Sequence, residues 1–249
     1  MKRWMRLFSF FTMILFVCPF SAAAQEKISA AVAANYIAAF KDIASAFEEK
    51  TGIKVEATFA STGSLYAQIQ NGAPYDIYLA ADEDRPVRLH KEGIVQKPFV
   101  YARGRCVLWS VRKDFCRAKD WREALKGEGV KRIALANPQT APYGAAAREA
   151  LLKAGLWEAL ESKRVIAQTV AQAFQYASTE ATDAGFCALS SVVTQEGAKG
   201  CCYPVEEAPQ IVQSACVLTR SKNRPEVERF AAFLLSPESG AVKTKFGYQ

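Results

Sequence analysis

Apolar and polar residues along this chain switch repeatedly between two periods. Ile28 to Ala33 is a short apolar run that reads as a buried strand. From Tyr36 to Lys50, apolar residues at Ile37, Phe40, Ile43, Ala44 and Phe47 fall on one helical face. Asn35 is placed to cap that helix and Thr51-Gly52 to stop it. Ile53 to Phe59 alternates as a strand. The turn Ala60-Ser61-Thr62-Gly63 opens a second helix reaching Gln70, and Asn71-Gly72-Ala73-Pro74 breaks it. Asp76 to Ala80 reads as a strand and Asp84 to Lys91 as a helix.

Phe99 to Val111 reads as extended, and then the rhythm resumes. Helices are predicted near Asp120–Lys126, Tyr143–Lys153 and Val170–Ala177, and strands at Arg132–Ala136, Val165–Ala167 and Ala184–Ala188. Gly197 to Pro209 reads as loop, Ile211 to Thr219 as extended, and two helices, Pro225–Leu235 and Pro237–Phe246, end the chain. Strands alternating with helices predict βαβ units and an α/β fold with mostly parallel sheets. The two long extended segments predict two lobes joined by two crossings. Residues 25–104 and 214–249 would form a discontinuous first lobe and residues 105–213 the second. A cleft would lie between them, faced by strand C-termini and helix N-termini, where open α/β sheets bind ligands.

The N-terminus changes the picture of where the protein works. Lys2, Arg3 and Arg6 precede the apolar run Leu7 to Phe20 and the small residues Ser21-Ala22-Ala23-Ala24. This is the pattern of a secretory signal peptide over residues 1–24, cleaved near Ala24, and the run is short for a bilayer span. Phe16-Val17 ahead of Cys18 lacks the small residue that lipidation of that cysteine requires. Export leaves six cysteines, Cys106, Cys116, Cys187, Cys201, Cys202 and Cys216, in an oxidising compartment that permits disulfides of unspecified connectivity. No CxxC pair occurs and His90 is the single histidine, so a zinc centre is not indicated. Cleavage removes three of 32 basic residues and leaves an excess of about four over the 25 acidic ones, too mild and dispersed for a nucleic-acid surface.

Enzymatic readings lack their parts. His90 sits among polar neighbours on a helix. GxSxG, GxGxxG after the first strand and GxxxxGK[ST] are all missing. Asp82-Glu83-Asp84 could hold a divalent cation, but it also reads as a helix-start charge cluster.

Four loops carry the chemistry that remains. Ala33-Ala34-Asn35, Ala60-Ser61-Thr62-Gly63, Asn137 to Gly144 and Gln168-Thr169-Val170 each lead from a strand into a helix start. Helix N-termini offer unpaired N–H groups and a positive dipole end to an anion. Taken singly, Asn35, Ser61 and Thr62 are explained as ordinary caps. Taken together, they describe neutral donors with no charged side chain, a set suited to a fully ionised tetrahedral dianion. Phosphate, which keeps a proton near neutral pH, calls for an acceptor that these loops do not supply. Sulfate, thiosulfate and small organic anions remain open alternatives.

Phe59 to Asp82 (FASTGSLYAQIQNGAPYDIYLAAD), NPQTAPYG between Ala136 and Ala145, and Ala184 to Ser191 resemble, in the same order, the periplasmic molybdate-binding proteins of ABC importers. The resemblance spans nearly all of the mature chain. It implies the two-lobed type II binding-protein fold, each lobe a mixed, mostly parallel sheet flanked by helices. It implies an exported monomer that closes on molybdate or tungstate without cofactor or bare metal cation and delivers it to a membrane ABC permease. Carried over by position, Asn35 would donate from its N–H and side chain beside Ala34. Thr62 would donate its hydroxyl and N–H next to Ser61, and Tyr143 and Val170 would donate their N–H groups. Ala34 stands where much of the family has Ser or Thr, so that hydroxyl is missing.

Overall fold

The computed structural model describes Lys27 to Gln249; the expected signal peptide lies outside the described residues. The first half of the chain builds β1 (Lys27–Ala33), α1 (Ile37–Thr51), β2 (Lys54–Ala60), α2 (Thr62–Gln70), β3 (Ile77–Leu79), α3 (Asp84–Lys91), β4 (Phe99–Gly104) and β5 (Cys106–Ser110). It continues through α4 (Trp121–Lys126), β6 (Ile133–Ala136), α5 (Pro142–Lys153), β7 (Arg164–Ala167), α6 (Val170–Ser178) and β8 (Ala184–Ala188). The remainder is α7 (Leu189–Val192), β9 (Cys201–Pro204), β10 (Ile211–Val217), α8 (Pro225–Phe233) and α9 (Pro237–Lys245).

These strands form two five-stranded sheets of matching order, β2-β1-β3-β10-β4 and β7-β6-β8-β5-β9. In each, three parallel strands are followed by one that runs against both its neighbours, β10 in the first sheet and β5 in the second. The antiparallel strand is the one the chain supplies after crossing over. The predicted extended segment from Phe99 to Val111 is thus two strands, broken at Arg105, that serve different sheets.

Strands covered on both faces must be apolar throughout, and β5, β6 and β8 are buried at every position. On the first sheet, α1 buries Ala39, Phe40, Ile43 and Phe47. Each large side chain of that stripe contributes about 1.5–3 kcal/mol of burial. Phe47 packs edge-on to Phe230 of α8, with ring centroids 5.1 Å apart. The second lobe centres on Leu108, Leu135, Phe186 and Leu151, with Trp121 edge-on to Phe186.

Three expectations change. Asn35 does not cap α1; it lies in a 3-10 turn, Ala34–Tyr36, and Tyr36 takes the cap position. The region read as loop contains β9, an edge strand whose Pro204 interrupts the usual strand signal, as prolines do at sheet edges. The cysteines resolve into one disulfide, Cys116–Cys201, with Cys106, Cys187, Cys202 and Cys216 free. No helix of the described residues is long and apolar enough to cross a membrane.

Candidate functional site

Four strand-to-helix junctions meet at one place: β1 into the 3-10 turn, β2 into α2, β6 into α5 and β7 into α6. Two come from each sheet. They bring Ala34, Asn35, Ser61, Thr62, Tyr143 and Val170 around one small cavity, completed by Ala33, Ala81, Ala141 and Pro142. All six predicted residues therefore converge. Every lining side chain is neutral. The cavity is small, about 10 Å³ in volume. Larger depressions of about 390, 590 and 720 Å³ touch none of the six residues.

Local sequence explains which groups each junction leaves unpaired beside the cavity. Ser61 is the cap of α2, extended at φ −66°, and its hydroxyl accepts from Ser64 N at 3.3 Å and pairs with Ser64 Oγ at 2.7 Å. Thr62 Oγ1 accepts from Ala81 N at 3.1 Å, which leaves its own proton free to donate. Tyr78 donates to the Thr62 carbonyl at 2.8 Å and fixes that turn. In α5, Pro142 fills the first position and has no N–H, so Tyr143 presents the first amide of the helix. In α6, Thr169 caps by accepting from Gln172 N at 3.0 Å, and Val170 N–H opens the helix. First-turn amides lack intrahelical acceptors, so each junction offers donors and the positive end of its dipole.

The side chain of Asn35 does something else. Its Nδ2 donates to Gln213 Oε1 at 2.7 Å and to Tyr248 Oη at 3.1 Å, which uses both hydrogens. The Asn35 side chain is therefore committed within the protein. Ser190 of α7 donates to the Asn35 carbonyl at 2.8 Å, and Tyr248 Oη lies 2.7 Å from the same carbonyl. Tyr101 donates to Gln213 Oε1 at 3.2 Å. Tyr143 sends its ring into this cluster; its hydroxyl is buried without a partner of good geometry, as is Gln213 Nε2. Burial pushes the Tyr248 hydroxyl up to about 12 and those of Tyr36, Tyr101 and Tyr143 well above the ordinary tyrosine value. All four stay protonated at neutral pH.

Sequence reasoning missed Ser190, Gln213 and Tyr248. Gln213 carried a signal, as a polar residue inside the apolar strand IVQSACV. Tyr248 carried none. Two members of the acidic run are in ion pairs, Asp82 with Arg85 and Asp84 with Arg88. His90 is exposed, with Nδ1 3.1 Å from the Val95 carbonyl.

Two mixed sheets with helix N-termini facing a shared cleft describe a solute-binding architecture, and the family model for bacterial extracellular solute-binding proteins matches residues 28–249. The chain belongs to this family. Among its relatives, this solute-binding protein is 42% identical over 232 residues to the molybdate-binding protein ModA of Azotobacter vinelandii, covering 91% of each chain. It is 37% identical to the molybdate-binding protein ModA of Rhodobacter capsulatus, covering 91% of this chain and 89% of that one. Its structure matches the periplasmic molybdate-binding protein of Azotobacter vinelandii with a TM-score of 0.83 and 32% identity, over 89% of this chain and 98% of the other.

Proposed function

We propose that this solute-binding protein captures molybdate or tungstate between its lobes in the periplasm and delivers it, as a monomer, to an inner-membrane ABC permease. The observation that carries the reading is the cavity's neutrality. Four helix starts surround it, and no ionised side chain lines it. A buried dianion there loses its water shell and gains charge-assisted hydrogen bonds from fixed amides and hydroxyls, each about twice as strong as a neutral one. We assign the donors as the N–H groups of Asn35, Thr62, Tyr143 and Val170 and the hydroxyls of Thr62 and Ser61, with Ala34 packed beside them. A cavity this small favours a compact inorganic anion over one that carries an organic substituent.

We further assign the lobes by sheet membership. The chain leaves the first sheet at Arg105 and returns between Val205 and Gln210, so the second boundary falls ahead of Ile211 and not at the expected 213/214, because Ile211, Val212 and Gln213 already pair with β4. Residues 1–24 serve export. Specific binding to the native state raises its stability by mass action, about 2.7 kcal/mol at a ligand concentration one hundred times Kd. A thermal-shift titration should therefore show several degrees of stabilisation with molybdate and with tungstate and far less with sulfate or phosphate. Stabilisation by sulfate or a small organic acid, with molybdate inert, refutes the ligand assignment.

A further inference from the structure

Arg85 bridges the two lobes beside the cavity. It belongs to α3 of the first lobe, and its Nη2 donates to the Gln139 carbonyl of the β6–α5 loop at 3.0 Å. Asp82 pairs with its Nη1, and both side chains are about one-fifth exposed. The guanidinium is thus aimed across the cleft by a carboxylate of its own lobe. Close by, Gly63 N donates to the Thr140 carbonyl at 2.8 Å, a second bond from the first lobe to the same β6–α5 loop. A β-carbon on Gly63 would stand 3.0 Å from both Thr140 Cα and its carbonyl oxygen and 3.2 Å from Arg85 Nη2. Gly63 follows Thr62 directly, and Thr140 lies three residues before Tyr143, so both bonds fall beside residues that line the cavity.

We propose that Arg85, oriented by Asp82, is a latch residue that sets how long the cleft stays shut and therefore how slowly the bound oxyanion leaves. The carbonyl of Gln139 is reached only when the lobes are together, so this bond stabilises the closed form and contributes nothing to the open one. Arg85 does not line the cavity, and its charge is matched by Asp82. The latch therefore acts on release more than on capture. It rests on the proposed ligand only for its kinetic reading, because the bond of Gly63 reports closure with any ligand or none.

The test uses the mature chain and its Arg85→Ala variant, with Arg85→Lys as the conservative control. Amide hydrogen exchange at Gly63 should quicken about tenfold in Arg85→Ala, while exchange at Asp76, whose N–H is bonded to Ser29 within the first lobe, stays unchanged. Arg85→Lys, which keeps a donor, should recover part of the protection. Stopped-flow release of molybdate should rise by a similar factor in Arg85→Ala, and in Arg85→Lys, which keeps the charge beside Asp82, the association rate should stay within about twofold of wild type. Unchanged exchange at Gly63 overturns the latch. Equal acceleration at Gly63 and Asp76 also overturns it, since that is general loosening of the lobe. A wild type that takes up no molybdate refutes the ligand assignment, and the latch then stands or falls on exchange at Gly63 alone.

Discussion

The hydroxyl of Tyr143 occupies the space that a β-carbon on Gly104 would need. Tyr143 is the second residue of α5 in the second lobe, and Gly104 ends β4 in the first, beside the crossing at Arg105. Gln213 Nε2 lies 2.9 Å from the same point. The amide that faces the cavity and the ring that fills the hinge thus belong to one residue. Overpacking a buried contact costs about 1–3 kcal/mol. Gly104→Ala should therefore weaken molybdate binding by at least about fivefold. An affinity equal to wild type, measured by calorimetry, would show that the hinge tolerates the extra carbon.

The two hydroxyls of the second junction should differ in weight. Ser61 is engaged with both the amide and the hydroxyl of Ser64, whereas Thr62 only accepts, from Ala81. A hydrogen bond to a charged group is worth about 1.5–3 kcal/mol. Thr62→Ala should raise Kd by about ten- to one-hundred-fold, and Ser61→Ala by less. Equal or reversed losses would place the main contact at Ser61.

Much of this arrangement is legible in the residues. The strand-helix rhythm from Ile28 to Lys91 follows from apolar periodicity, because β1 is buried along most of its length and α1 buries one stripe. The junction residues are legible because small and hydroxyl side chains before a helix serve both as caps and as donors. What sequence hides is pairing at long range. Asn35 reads locally as a cap, but Gln213 and Tyr248, 178 and 213 residues away, take its side chain. Nothing local ties Arg85 to the cleft; only the folded chain brings the Gln139 carbonyl to it.

Buried tyrosines set an alkaline limit. Their hydroxyls are raised by desolvation, so the folded state favours the neutral form more than the unfolded state does. The stability this contributes is complete below about pH 10 and is lost as pH rises from there through the folded value, about 12 for Tyr248. Melting temperature should hold level towards pH 9 and fall above pH 10. Molybdate affinity should be flat from about pH 6 to 9, because no titrating side chain lines the cavity in its charged form there. A step in affinity inside that range would reveal an ionising group among the donors.

The cysteines should sort by burial. Cys106 is pushed up to about 12 by burial, and Cys187 and Cys216 are raised as well. Cys202 is half-buried and less shielded. Native protein should react with a thiol reagent at Cys202 first and leave the other three until it unfolds. Reducing Cys116–Cys201, which spans 85 residues within the second lobe, should lower stability by about 2–4 kcal/mol. Prompt labelling of Cys106 or Cys187 in the native state would contradict the burial, and an unchanged melting temperature after reduction would contradict the structural role of the bridge.

Isothermal titration of the mature chain with molybdate, repeated against excess sulfate, asks most directly whether neutral donors from both lobes enclose one compact oxyanion. One anion bound per chain, with little competition from sulfate, is the predicted result. An absence of molybdate binding at stoichiometric concentration, or full displacement by equimolar sulfate, would contradict it.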